Sequence, residues 1–160
     1  DDKLTDKGEF ASQIYSDEIP IGEIFATPFY NELNEYQILL ILACLSYESR
    51  EKTEFYKEYP SEFLRDLKKA IRSNEYLNRE RRFLNLESMS SMIHPCYYNK
   101  TIFDILENTN LLEGDLIRFF RQIMDKLHQI KQATKDERLV QMIKSCQRLV
   151  EDCLVDIDVI

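Results

Sequence analysis

Apolar residues recur at helical spacing through the C-terminal part of the chain. A first series steps by four, three, four and three residues: Leu116, Phe120, Ile123, Leu127 and Ile130. A second series has the same rhythm: Leu139, Ile143, Cys146, Val150 and Cys153. This spacing is typical of helices that pack along one side. It predicts two long helices, at about 112–133 and 136–155, packed as an antiparallel pair.

The N-terminal half predicts shorter elements around one central helix. Residues 36–47 are apolar almost all round, which is typical of a helix buried on every side. Turn and breaker residues predict short helices at 4–15, at 21–27 between Pro20 and Pro28, at 89–94 before Pro95, and at 101–108. The whole pattern predicts an all-α fold, a compact multi-helix bundle.

A further helix is predicted at 61–83, because Pro60-Ser61-Glu62 is a typical helix start. One side of it is apolar: Phe63, Leu67, Ala70, Ile71 and Leu77. The other side gathers cations: Arg65, Lys68, Lys69, Arg72 and Arg79. Such a face either meets water or docks an anion, namely RNA phosphates or an acidic partner.

The predicted helix 112–133 has a polar side opposite its apolar series. That side carries Arg118, Arg121, Gln122, Asp125 and Gln129. Arginine and amide side chains can contact phosphates and base edges, although most such faces are only solvated. The pattern alone leaves both interpretations open.

Composition agrees with a helical domain of intracellular type. The 160 residues include only three glycines and four prolines, and 44% are apolar. The net charge of −8 is uneven: −8 in residues 1–60, +4 in 61–148 and −4 in 149–160. The longest apolar run, 38–45, is far short of the roughly twenty residues of a membrane span. The charged N-terminus does not resemble a signal peptide, so we expect an intracellular protein.

Residues for catalysis or metal binding do not stand out. The four cysteines form no C-x-x-C pair, and neither His94 nor His128 has zinc-ligand spacing to a second ligand. Phosphate-binding loops, nucleophile elbows and H-E-x-x-H motifs are missing from these 160 residues. We therefore expect no catalytic residue, no metal and no cofactor in this chain, and four reduced thiols.

Two segments resemble a known family. Residues 111–118 read L-L-E-G-D-L-I-R, and Phe29 to Leu33 read F-Y-N-E-L, with Gln37 four residues on. Together with L-T-D-K-G at 4–8, and with Thr101 and Ile105 in register, they are similar to the C-terminal helical domain, called DSHCT, of superkiller and exosome-cofactor DExH-box RNA helicases. The family's patterns are E-G-x-L-I-R and N-F-x-E-L-x-x-x-Q. The resemblance runs from Leu4 to about Leu154.

The resemblance implies a non-catalytic module of an ATP-dependent RNA helicase. In that family the domain packs on the helicase core and helps to close a channel around single-stranded RNA. The family's RNA contacts correspond to Gln122 and Asp125, with Gln122 in place of the usual arginine; Arg118 and Arg121 supply positive charge beside it. ATP and magnesium would bind only in the helicase core, outside this chain.

The resemblance also implies partners and a compartment. By this resemblance the chain is a single helical domain, 1–160, from the C-terminal part of a larger helicase. That helicase is expected to act with the RNA exosome or its adaptors. The triplet Leu116-Ile117-Arg118 favours the nuclear branch. The alternative is a helical protein-interaction module that docks an acidic partner on the Arg65 to Arg79 face without touching RNA.

A first prediction concerns ATP. The isolated chain should neither bind nor hydrolyse ATP, because it has no phosphate-cradling loop and no carboxylate set for magnesium. Calorimetric titration with ATP and magnesium checks this. Saturable binding at micromolar concentration that survives repurification would contradict it.

Overall fold

A central helix organises the fold. The computed structural model describes residues 6–155 and 157, and these residues form eight α-helices. They are α1 (Asp6–Ala11), α2 (Glu18–Phe25), α3 (Glu35–Ser46), α4 (Glu62–Arg72), α5 (Leu86–Tyr97), α6 (Ile102–Leu106), α7 (Glu113–Ala133) and α8 (Glu137–Cys153). Short 3-10 turns lie at Pro28–Glu32, Leu77–Arg79 and Arg81–Asn85. The described residues contain no strand beyond one isolated bridge between Phe55 and Thr109, which confirms the all-α prediction.

Helix α3 is the predicted buried helix. Every residue from Tyr36 to Ser46 is buried, and α4, α5, α7 and α8 all pack against it. Asn34 caps its start, accepting a hydrogen bond from Gln37 N at 2.9 Å while Gln37 Oε1 accepts from Asn34 N at 3.0 Å. The buried Gln37 amide also donates to Phe63 O at 3.0 Å, which joins α3 to α4. Capping thus gives hydrogen-bond partners to backbone N–H groups at the start of the helix, which would otherwise lack partners in the core.

Helices α7 and α8 form the predicted pair. They follow each other after a short turn and pack together, and both also contact α3. All ten residues of the two apolar series are buried. Asp136 caps α8 by accepting a hydrogen bond from Arg138 N at 2.9 Å, and its carboxylate also accepts from the Tyr30 hydroxyl. The spacing of apolar residues therefore located both helices to within two residues of each end.

The predicted helix at 61–83 was wrong in its length, because α4 ends at Arg72. Asn74 Oδ1 accepts hydrogen bonds from Tyr76 N at 3.0 Å and Leu77 N at 2.9 Å. A side chain that bonds its own backbone in this way competes with helix propagation. The chain continues as two 3-10 turns, so Arg79 does not lie on the same helical face as Arg65, Lys69 and Arg72.

The prediction that the helix before Pro95 would stop there was also wrong. Helix α5 starts at Leu86 and runs through Pro95 to Tyr97. Proline has no N–H to give to the carbonyl four residues earlier. That carbonyl, Ser91 O, accepts a hydrogen bond from Asn108 Nδ2 at 3.0 Å instead. A distant side chain thus replaces the lost helical bond.

The N-terminal elements differ from expectation in their bounds. Helix α1 covers only part of the predicted 4–15, of which residues 4 and 5 lie outside the described residues. Helix α2 begins before Pro20, which occupies its first turn, where a missing N–H costs nothing. The segment between α1 and α2 lies across α7, where Tyr15 N donates to Gln129 Oε1 at 2.9 Å.

Aromatic rings surround His94 on α5. Its ring stacks on Tyr59 at a centroid distance of 4.2 Å and contacts Tyr98 at 4.5 Å. The Tyr36 hydroxyl lies 3.2 Å from His94 Nδ1. Burial, and secondarily the charge of Lys57, lower the pKa of His94 below its usual 6.5. Burial raises the pKa of Tyr36 to about 12, so its hydroxyl keeps its proton.

This environment predicts a pH dependence of stability. The unfolded chain protonates His94 near pH 6.5, whereas the folded chain does so only at lower pH, so stability falls as the pH decreases below 6.5. His94→Gln should flatten the pH dependence of the melting temperature between about pH 7 and 5, and the change should be small because solvent screens part of the effect. The exposed His128→Gln is the control. A slope for His94→Gln equal to that of the unmodified protein would refute the prediction.

The four cysteines are buried and unbridged. Burial raises the pKa of Cys44 and of Cys146. A hydrogen bond with Cys153, followed by burial, raises the pKa of Cys96. Thiols that stay protonated and covered are poor nucleophiles. As predicted, Cys146 and Cys153 lie in the packed side of α8, where seven residues separate them by about 10 Å.

Thiol labelling tests this burial. In the native protein a disulfide reagent should modify none of the four cysteines quickly, and all four should react once the protein is unfolded. The exposed Lys144→Cys variant supplies the positive control, since its added thiol should react at once. Rapid native labelling of Cys146 and Cys153 is the result that would contradict the structure.

Candidate functional site

The outer side of α7 presents the predicted polar residues. Arg118, Arg121 and Asp125 are exposed, and Gln122 is half-buried. Arg121 makes no ion pair with any residue that the structure describes, while Arg118 Nη1 lies 3.6 Å from Asp115 Oδ1. The structure therefore brings all four to one side of α7, opposite its buried series. RNA contact by this side stays a prediction.

Gln122 faces a cleft between α7 and the segment that follows α3. We name it the α3–α7 cleft; its polar lining residues are Ser46, Glu48, Arg50, Asp115, Arg118 and Gln122. Arg50 Nη1 lies 3.5 Å from Asp115 Oδ1, the same oxygen that Arg118 approaches. The other oxygen, Asp115 Oδ2, accepts a hydrogen bond from Leu112 N at 3.0 Å and so caps the first turn of α7. One capping carboxylate thus holds two guanidinium groups at the cleft.

Sequence reasoning missed Arg50 and Asp115 as members of this site. Arg50 lies in an irregular loop, where no periodicity relates it to α7. Asp115 lies within the E-G-D-L-I-R segment, and its position three residues after Leu112 is that of a helix-capping acid. That spacing could have identified Asp115 from the sequence, whereas only the tertiary structure shows that Arg50 belongs to the site.

A second group of charges borders Gln122 on its C-terminal side. Arg82 Nη2 lies 2.9 Å from Asp17 Oδ1 and 2.8 Å from Glu80 Oε1, and Arg82 Nη1 also donates to Leu45 O at 3.4 Å. The same Asp17 carboxylate lies 3.8 Å from Lys126 Nζ. The hydrogen bond from Arg82 lowers the pKa of Glu80, and that bond also raises the pKa of Arg82. The cluster ties α2, α3 and α7 together.

Two residues on this side of α7 are covered. Lys126 is only 7% exposed. Burial lowers its pKa, and the negative charge of Asp17 partly offsets this effect. Gln129, predicted to lie on the open polar face, is bonded to Tyr15 N. The N-terminal segment therefore limits the open part of the face to Arg118, Arg121, Gln122 and Asp125.

The predicted cationic face from Arg65 to Arg79 is only partly assembled. Arg65, Lys69 and Arg72 are exposed on one side of α4. Lys68 instead pairs with Glu87 of α5, and Arg79 lies beyond the helix and pairs with Glu75 at 3.5 Å. The five residues do not form one continuous stripe, because α4 ends at Arg72. Whether the remaining three dock a partner is still a prediction.

In the described part of the chain, His, Cys, Asp and Glu side chains nowhere gather in a group of three or more that could hold a metal ion. Within residues 6–155 and 157, no helix combines the length and the apolar character that a bilayer span requires.

The helical fold and the E-G-D-L-I-R helix with its polar outer side define the class of domain. The chain belongs to the DSHCT (NUC185) domain family, whose model matches residues 1–155. It is similar to the ATP-dependent RNA helicase mtr4 of Schizosaccharomyces pombe, with 24% identity over 147 residues. The match covers 84% of this chain and 13% of the yeast protein, so the chain spans a small part of that relative's length.

Proposed function

We propose that this chain is a non-catalytic module of an ATP-dependent RNA helicase, in which it lines the channel for single-stranded RNA and packs on the helicase core. The observation that carries the RNA part is the open outer side of α7, where Arg118 and Arg121 flank Gln122. Arginine side chains free to donate are suited to phosphate oxygens. ATP and magnesium belong, in this proposal, to the helicase core.

Exposed apolar side chains support the core-packing part of the proposal. Tyr15, Ile19 and Leu84 are 87%, 73% and 81% exposed. Each lies within two residues of the ion pair between Asp17 and Arg82. Large apolar groups left open around an ordered charge cluster are typical of a surface that another domain covers. The helicase core of the same polypeptide is the proposed occupant.

The cellular role follows from the family resemblance. We propose that the parent protein acts in RNA processing or decay linked to the RNA exosome or its adaptors, in the nucleus rather than the cytoplasm. The support is the DSHCT membership together with Leu116-Ile117-Arg118, which favours the nuclear branch. Immunoprecipitation of the complete gene product from nuclear extract, with exosome subunits among its partners, tests this role.

The second candidate is a docking module for an acidic partner. It is favoured by Arg65, Lys69 and Arg72, which are exposed on α4 and make no ion pair with any described residue. Replacing the three by alanine should then abolish binding of a protein partner and leave RNA affinity unchanged.

The RNA face predicts the effect of three variants of the complete gene product. Arg118→Ala with Arg121→Ala should weaken single-stranded RNA binding by about 1 to 3 kcal/mol and flatten its salt dependence, because two charged donors are lost. Gln122→Arg should tighten binding, because it adds a cation to the same side. RNA affinities at two salt concentrations measure both effects.

The controls for this prediction are stability and ATP affinity. The melting temperature should barely change, because both arginines point away from the buried side of α7 and the only ion pair lost among the described residues is that between Arg118 and Asp115. ATP affinity should be unchanged. If the double variant binds RNA normally but loses a protein partner, the docking module is the correct function.

A further inference from the structure

The α3–α7 cleft holds two arginines in a geometry suited to one anionic group. Arg50 Nη1 and Arg118 Nη1 lie 3.5 and 3.6 Å from the same oxygen of Asp115, so the two nitrogen atoms are at most about 7 Å apart. Both contacts are longer than a strong charge-assisted hydrogen bond of about 2.8 Å. Each guanidinium has five N–H donors, and most of them stay free. A phosphate can bridge such a pair when its two bonds of normal length replace the long contacts to Asp115.

The loop that carries Arg50 is anchored. Asn110 accepts a hydrogen bond from Glu54 N at 2.8 Å and donates one to Lys52 O at 2.7 Å. Tyr56 N donates to Asn108 O at 2.7 Å, just before α7 begins. The loop is thus fastened to the segment that leads into the helix of Arg118. The backbone that carries each arginine is therefore held in place before any ligand arrives, which lowers the entropic cost of binding.

A buried hydroxyl in the cleft lacks a partner. Ser46 is 4% exposed, and its Oγ is the one buried side-chain oxygen or nitrogen in the described residues that makes no hydrogen bond. Ser46 lies at the end of α3 and lines the cleft with both arginines. Buried hydroxyls are normally bonded, and one that is not marks a place where an incoming group can be bound. Because this oxygen is itself buried, its hydroxyl would donate to an anionic oxygen in the cleft only after the Ser46 side chain changes rotamer.

We propose that the α3–α7 cleft is a phosphate subsite in which Arg50 and Arg118 together hold one backbone phosphodiester of single-stranded RNA, with Ser46 as a further donor. This inference rests on the proposed RNA-channel function and adds Arg50 and Ser46 to its contacts. RNA is favoured over a free anion because the subsite continues into the open outer side of α7. Gln122 lines the same cleft, and Arg121 lies about one helical turn after Arg118.

Two carboxylates line the cleft and oppose an anion. Asp115 is already paired with both arginines, whereas Glu48 makes no ion pair with the described residues. Its charge repels a phosphate, and the subsite therefore predicts that Glu48→Gln binds RNA about two-fold more tightly. A cleft that RNA does not approach would show no such gain.

The test is RNA affinity of the complete gene product, measured by fluorescence anisotropy with a labelled oligouridylate of about twelve nucleotides at low and high salt. Arg50→Ala should weaken binding by about 3- to 10-fold, and reduce the slope of log affinity against log salt by about 0.7, the value for one phosphate contact on a single strand. Arg50→Lys should recover part of the affinity, because it keeps the charge and loses the planar fork. Lys52→Ala, in the same loop but outside the cleft, is the matched control and should bind normally. Thermal unfolding checks that each variant is folded.

Three results would overturn the subsite, and each has a different meaning. If Arg121→Ala weakens RNA binding while Arg50→Ala behaves like Lys52→Ala, the subsite is wrong and the RNA-channel function stands. If neither arginine matters, both proposals fail. If Arg50→Ala abolishes binding of inorganic phosphate, measured by calorimetry, but leaves RNA affinity unchanged, the cleft binds a free anion and not RNA.

A double-mutant cycle tests whether one phosphate is shared. Arg50→Ala with Arg118→Ala should weaken binding by less than the product of the two single effects, because removing either arginine already releases most of the contact. Strictly multiplicative effects would show two independent phosphate contacts and overturn the shared site. Ser46→Ala should weaken binding about two-fold in the unmodified protein and have no effect once both arginines are alanine.

Discussion

The complete burial of α3 is the constraint on which the remaining structure depends. A helix that is apolar all round must be covered on every side, and here α4, α5, α7 and α8 supply the cover. Its polar ends are the only places where water or charges can be tolerated. The capping pair Asn34 and Gln37 satisfies the start. The end at Ser46 and Tyr47 opens toward the surface, and several charged residues lie near it: Glu48, Arg50, Arg82, Asp115 and Arg118.

The location of the candidate site follows from this arrangement. Helix α7 uses one side to cover α3, so its other side is free for polar residues. Near the C-terminus of α3, Arg82 donates to Leu45 O, and the Arg50 loop brings a second arginine to the same region. Cations are favoured at a helix C-terminus, where the carbonyl groups carry partial negative charge. The same packing that buries α3 therefore gathers arginines beside the outer side of α7.

The two proposed functions rest on cationic surfaces that differ in continuity. On α7, Arg121 has no ion pair within the described residues and Arg118 has only a long one. On α4, three cations are also unpaired among the described residues, but Lys68 pairs with Glu87 and the helix ends at Arg72. A continuous outer side beside a built cleft favours a polyanion that runs along α7.

The sequence by itself determined the fold class, the central helix and the two long C-terminal helices, because apolar periodicity reports which side of a helix is buried. It also determined which residues share the outer side of α7, since that follows from the same angle per residue. It did not determine where α4 ends or that α5 continues through Pro95. The first outcome depends on the Asn74 side chain, which accepts hydrogen bonds from nearby backbone N–H groups. The second depends on Asn108, which donates to Ser91 O, 17 residues earlier, in place of the N–H that Pro95 lacks. Only the tertiary structure placed Arg50 beside Arg118 and covered Gln129 and Lys126, because contacts between distant segments depend on how loops are anchored, and helical periodicity carries no information about loops.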